Sequence, residues 1–135
     1  MTAKSRTLGL MALKEKARIA GTLADLRQAA AQKAEAERMT ERLREALERQ
    51  GKVQGVRLAS EIAAERAMAA QLLAEAARLE DRQAALAARM AEDRARLAQQ
   101  EQRHQTLTDK AGSARRGEAE ERLALREGAM PPRRR

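Results

Sequence analysis

Few residues in this chain could do chemistry. The only histidine, His104, has Glu101 and Asp109 close by, and Lys4, Arg6, Lys14, Lys16 and Arg18 concentrate positive charge near the start. A histidine and two carboxylates would begin a metal site, but closing it takes further ligands, and there is no second histidine and no cysteine. The sequence has no glycine-rich phosphate loop, no nucleophile elbow and no cluster at ligand spacing. Neither catalysis nor a metal or cofactor site is therefore expected, and His104 is expected to be one more polar residue on a helix face.

The basic run must be held by something other than a globular core. The 135 residues include no Phe, Tyr or Trp, and much of the 43% hydrophobic fraction is alanine, whose methyl buries little. Charged residues make up 36%, but Ala, Leu, Glu, Arg and Gln dominate, and these are strong helix formers. Long helices follow, without disulfides. The apolar run "GLMAL" stops at Lys14, Glu15 and Lys16, too short for a signal-peptide core or a membrane span, so a cytoplasmic protein is expected.

The apolar spacing organises the chain into two helices. From Ala3 to about Gln50 apolar residues such as Leu8, Met11, Ala12, Ile19, Leu26, Ala30, Met39, Leu43 and Leu47 recur at steps of three and four, with an apparent slip near Lys33. From Leu58 the steps alternate four and three without a slip through Ile62, Glu65, Ala69, Leu72, Ala76, Leu79, Gln83, Leu86, Met90, Asp93, Leu97, Gln100, His104, Leu107, Ala111 and Ala114. That is a sustained heptad, which winds a helix around a partner in a left-handed supercoil.

Between the two stripes stands "ERQGKVQGVR". Gly51 falls where a left-handed helix cap is wanted and Gly55 just before the heptad restarts, so the stretch reads as the turn of a hairpin. The nearest complementary stripe belongs to the same chain, at high effective concentration. The expected fold is all-α, a long antiparallel two-helix coiled-coil hairpin with a longer second helix. Its expected layout is one hairpin over 1–128, with helices at about 3–50 and 56–127 and a turn at about 51–55, then a disordered basic tail over 129–135 beyond the last helical turn. A tight turn would set Leu47 near Leu58, Ile19 near Leu86, Leu8 near Leu97 and Met1 near His104, with the basic start beside Arg94, Arg96 and Arg103. Leu107, Ala111, Leu123 and Leu125 would then overhang without a partner in the chain.

The formal net charge of +8 asks for an anionic partner. Nucleic acid is disfavoured because arginines alternate with glutamates through "ERMTERLREALER" and no aromatic residue can stack on a base. Insertion into lipid is disfavoured because interfacial aromatics are missing. An acidic protein pocket remains, as does a generic scaffold in which two chains pair in parallel through the second-helix heptad.

A helix opening "LMALKEKARIAGTLADLRQA", a glycine-containing reversal, a longer second helix with "MAEDRARLAQQEQRHQTLTDKA" and a charged end together resemble the FliJ family, the small soluble coiled-coil component of the bacterial flagellar type III export apparatus, and its virulence-system counterparts. That family looks like the coiled-coil part of the gamma subunit of rotary ATP synthases. The resemblance implies a monomeric hairpin, peripheral at the inner face of the cell membrane, with the export ATPase hexamer, the export gate membrane protein and export chaperones as partners. It places the ATPase-binding end at Leu8, Met11, Lys14, Lys16, Arg18, Leu107, Arg115, Arg116, Leu123 and Leu125, and a gate-facing surface at Ile62, Met68 and Leu72. This sequence differs from the family pattern in having no aromatic residue on those surfaces.

Overall fold

The computed structural model describes residues 3–52 and 55–129. Two helices account for nearly all of it: α1, Ala3–Gly51, and α2, Ala59–Ala129. No proline interrupts either one, and the ends suit the helix dipole, with Glu61 in the first turn of α2, Arg49 in the last turn of α1 and Arg126 in the last turn of α2. The helices pack antiparallel, and the fold is an all-α helical hairpin. Contacts gather into two compact units, Met1–Leu23 with Ala95–Arg135, and Ala24–Arg94. Of the expected tail over 129–135, Ala129 is the last residue of α2 and 130–135 lie outside the described residues, as do Met1 and, in the turn, Val53 and Gln54.

The buried face of α2 follows the expected heptad from Ala69 to Ala114 and continues to Glu118. In α1 a stripe of buried or half-buried positions runs through Ser5, Leu8, Ala12, Glu15, Ile19, Thr22, Leu26, Ala29, Lys33, Ala36, Thr40, Leu43, Leu47 and Gln50, and half-buried neighbours such as Gly9, Leu23, Asp25, Gln32, Ala34 and Ala46 flank it. The stripe steps by three and four without interruption, so the slip expected near Lys33 does not exist. It came from counting apolar residues only: Ala30 and Met39, which put consecutive threes around Lys33, are exposed, while Ala29 and Thr40 are buried.

The connection is longer than a tight turn. Gly51 is the last residue of α1 and helical, with the Lys52 amide donating to the Arg49 carbonyl at 3.3 Å, so it is not the left-handed cap. The positive φ falls instead at Gly55, four residues beyond the helix end, with φ of 139°. The α2 helix starts only at Ala59, where the Leu58 carbonyl accepts from the amides of Glu61 (3.0 Å) and Ile62 (3.1 Å), and Arg57 reaches forward to pair with Glu65.

The register is shifted from the expected one by more than two heptads. Ser5 bonds Glu118 and Thr22 bonds Gln100 in the first unit, and Thr40 bonds Gln83 in the second. By that register Leu8 falls opposite Ala114 and Ile19 opposite His104, instead of Leu97 and Leu86. The α1 start consequently meets Arg103, Lys110 and Arg115, not Arg94 and Arg96. Leu107 is half-buried and Ala111 is buried, so the overhang begins only after Glu118 and retains Leu123 and Leu125. At the other end residues 59–68 of α2 are exposed, because α1 has ended before it can cover them.

The seam is thin. Ala29, Ala36, Leu79, Leu86 and Ala111 are the buried apolar residues, and a buried methyl contributes only about 0.8 kcal/mol. The accessible surface is 10838 Å², against about 7,000 Å² for a compact chain of this mass. Stability therefore leans on helix propensity. A Cβ at Gly21 or Gly112 would meet no atom within 4 Å. Gly21→Ala and Gly112→Ala are each expected to stabilise the protein by about 0.5–1 kcal/mol, and Gly55→Ala to destabilise it by about 1 kcal/mol through strain. Thermal unfolding followed by far-ultraviolet circular dichroism checks both signs.

Candidate functional site

Two features stand out from the plain helical scaffold: polar pairs that cross the seam, and an uneven distribution of charge. In the unit Met1–Leu23 with Ala95–Arg135, the Ser5 hydroxyl donates to Glu118 Oε2 at 2.8 Å and the Ser5 amide to Oε1 at 3.3 Å. Ser5 is 0% exposed and Glu118 only 7%. One carboxylate thus accepts from the first turn of α1, where amides have no helical acceptor and the dipole favours negative charge. A seventeen-residue step along α1 leads to Thr22, whose Oγ1 lies 2.8 Å from Gln100 Oε1 and 3.1 Å from the Arg18 carbonyl. Its single proton serves one acceptor at a time.

Ala24–Arg94 repeats the device. Gln83 Nε2 donates to Thr40 Oγ1 at 2.9 Å, and Thr40 Oγ1 donates to the Ala36 carbonyl at 2.9 Å. Here the Thr40 hydroxyl both accepts and donates. The hydroxyl would otherwise be a buried polar group without a partner from the opposite helix, which costs about 1–3 kcal/mol.

Charge separates between the units. Met1–Leu23 with Ala95–Arg135 contains fifteen Lys and Arg against seven Asp and Glu, whereas Ala24–Arg94 contains thirteen of each. Among the described residues the first unit has twelve Lys and Arg against seven Asp and Glu, and the second is neutral. In the second, charges are matched along each helix by Lys33–Glu37, Glu35–Arg38, Glu41–Arg44 and Glu75–Arg78. The hydrogen bond from Arg38, and then its charge, hold the Glu35 carboxyl below its usual range.

Within the first unit the positions flanking the seam carry like charges. Arg18 of α1 and Arg103 of α2 line one groove with Met11, Leu107 and Glu15. Glu15 is 4% exposed; its Oε2 meets Arg18 at 3.3 Å, while Oε1 is buried without a hydrogen-bond partner. Lys16 and Arg115 line a second groove, and Leu8 a third with Lys4 and Lys110. Of the residues expected at the ATPase-binding end, the structure therefore gathers Leu8, Met11, Lys16, Arg18, Leu107 and Arg115 onto grooves of one unit. Lys14 and Arg116 are exposed in the same unit outside those grooves, and Leu123 and Leu125 are 58% and 73% exposed on the α2 extension.

In the second unit, Ile62 lines a groove with Leu47, Gln50 and Ala69, Met68 is 54% exposed, and Leu72 is half-buried in the seam. Sequence reasoning missed Ser5, Thr22, Thr40 and Glu118, although continuing the three-four count from Leu8 in both directions, polar residues included, reaches the three on α1. It also missed the exposed Leu10 and Leu13. Among the described residues no group of three or more His, Cys, Asp or Glu is placed to hold a metal ion, and no helix is long and apolar enough to cross a membrane.

The fold and site thus define a helical hairpin with one strongly cationic unit. No family model, no curated protein and no solved structure matches the chain.

The seam pairs predict a sign reversal on mutation. Thr22→Val alone and Gln100→Leu alone are each expected to cost about 1–2 kcal/mol, while the double substitution, which leaves neither partner unsatisfied, should restore most of the loss. Urea unfolding of the four proteins in the cycle measures the coupling; additive losses would show that the pair does not act together.

Proposed function

We propose that this protein is the soluble coiled-coil component of a flagellar type III protein export apparatus, binding the export ATPase ring as a central stalk and linking it to the export gate and export chaperones. The observation that carries the reading is the excess of positive charge among the described residues of the unit that holds both the start of α1 and the end of α2, tied by Ser5 and Glu118. A stalk seated in an anionic pore needs a cationic end, and an unmatched field of one sign speeds and orients the encounter. The resemblance of the sequence to the FliJ family supplies the partner. In this reading the protein works in the cytoplasm at the inner face of the membrane, which it reaches through its partners.

Lys14, Lys16, Arg18, Arg115 and Arg116 supply the exposed charge at the ATPase-binding end, with Met11, Leu123 and Leu125 as apolar contacts. Leu8 and Leu107 act from within the seam, holding the two helices together beneath those side chains. Ile62, Met68 and Leu72 belong to the surface offered to the gate, where the exposed start of α2 gives a partner helix room to pack.

Reversing Lys14, Lys16, Arg115 and Arg116 to glutamate together is expected to weaken co-sedimentation with the export ATPase hexamer by about tenfold or more at moderate salt. Reversing Arg38, Arg42, Arg44 and Arg78, from the balanced unit, should leave that binding nearly unchanged. Equal losses from the two sets, or none from the first, would overturn the proposal.

A further inference from the structure

One face of the cationic unit has a composition unlike the rest. A groove of about 630 Å³ runs between α1 and α2 along Gly9, Ala12, Ala111 and Gly112, with Leu10 and Leu13 on its wall. Gly9 and Gly112 present no side chain, so the floor is low and backbone comes close to the surface. Leu10 and Leu13 are 59% and 63% exposed, side by side on successive turns of α1. Exposing two leucines costs a chain that has few large apolar residues to spend on its seam.

The charged side chains of the groove's lining are all cationic, beside the neutral Ser5 and Thr108. Arg6, Lys16 and Arg115 line it with His104, and no carboxylate does. The other two grooves of this unit differ: one holds Glu15 beside Arg18 and Arg103, the other Asp109, Glu118 and Glu121 beside Lys4 and Lys110. An apolar floor of small residues between leucines, under a rim whose charges are all basic, is complementary to an amphipathic helix with leucine-like anchors on one face and carboxylates on its flanks.

We infer that this groove docks an acidic amphipathic helix of a partner protein. From Arg6 to Lys16 the groove follows about three turns of α1, or about 15 Å, which matches a helix of about ten residues. The partner's apolar residues at i, i+3 or i+4 and i+7 would sit over Gly9, Ala12 and Gly112, and its carboxylates would meet Arg6, Lys16 and Arg115. A second copy of the chain fits poorly, since its own cationic unit brings the same sign of charge to the contact. The inference stands on the groove alone and does not depend on the export reading.

The test uses the full chain and a fluorescein-labelled peptide of about 14 residues, long enough to cover the groove, with a leucine stripe and glutamates elsewhere. Controls are the same peptide with lysine for glutamate, a scrambled peptide of the same composition without the stripe, and anionic phospholipid vesicles. Anisotropy should show binding of the striped acidic peptide alone, weakened about tenfold by Leu10→Asp with Leu13→Asp, and similarly by Arg6→Glu, Lys16→Glu and Arg115→Glu together. Gly112→Met, which meets no atom of the hairpin at its Cβ, should block the groove while circular dichroism stays unchanged. Equal binding of the scrambled peptide would reduce the contact to bulk charge and overturn the inference. So would unaltered affinity in the Leu10/Leu13 variant, a dimer mass that the same variant abolishes, or vesicle binding that the variants remove while peptide binding persists.

Discussion

A hydroxyl on one helix and an amide on the other, meeting across a seam of alanines, decide how this hairpin is put together. Alanine packs against alanine equally well in many registers, because methyl groups carry no directional preference and each step of a heptad offers nearly the same buried area. Thr22 with Gln100 and Thr40 with Gln83 remove that degeneracy. Slide one helix by a heptad in one direction and Thr22, Gln100, Thr40 and Gln83 face Leu107, Ala29, Met90 and Leu47; in the other direction Thr40 faces Ala76, Thr22 meets Asp93 and Gln83 meets Lys33. The penalty of an unsatisfied group exceeds the gain from a made one, so the polar pairs act chiefly by excluding alternatives.

Packing this thin leaves the surface free to be specialised. In Ala24–Arg94 acidic and basic side chains alternate and pair three or four residues apart, which adds a few tenths of a kcal/mol per pair and gives no net field. In the other unit arginines and lysines flank the seam on both helices, which weakens the pairing of α1 with α2 there. The Ser5–Glu118 bond offsets that repulsion at the end of the seam, where a buried carboxylate sits among the cations. The same charges that strain the hairpin are the ones available to an anionic partner.

The heptad of α2 was legible because leucine and alanine recur in it often enough to carry the count past Gln83, Asp93, Gln100 and His104. In α1 the seam contains Ser5, Glu15, Thr22, Lys33 and Thr40, and a count of apolar residues drifts onto the exposed Met11 and Met39. The basic character of the site was legible from Lys14, Lys16, Arg18, Arg115 and Arg116. Which of them share a groove was not, since that depends on register, and register depends on pairs of residues far apart in sequence. Reading Gly51 and Gly55 as a tight turn set Leu8 opposite Leu97 and Ile19 opposite Leu86, more than two heptads from their actual neighbours, although it gave the right topology. Seven residues, from Lys52 to Leu58, separate the two helices and leave the start of α2 without cover.

The cross-seam bonds link residues 43, 78 and 113 positions apart, at Thr40–Gln83, Thr22–Gln100 and Ser5–Glu118. Closing the widest directly costs about 0.9 kcal/mol more chain entropy than closing the narrowest. Once the narrowest is made, each later one closes only the 35 further residues by which its separation exceeds the one before, 43 to 78 to 113. Such a chain folds as a zipper that starts near the connection and runs outward. Ser5–Glu118 is then the last bond to form and the first to open, so the cationic end is also where the two strands of the zipper part most often. The end of the seam that carries the excess of positive charge is thus also the end that closes last.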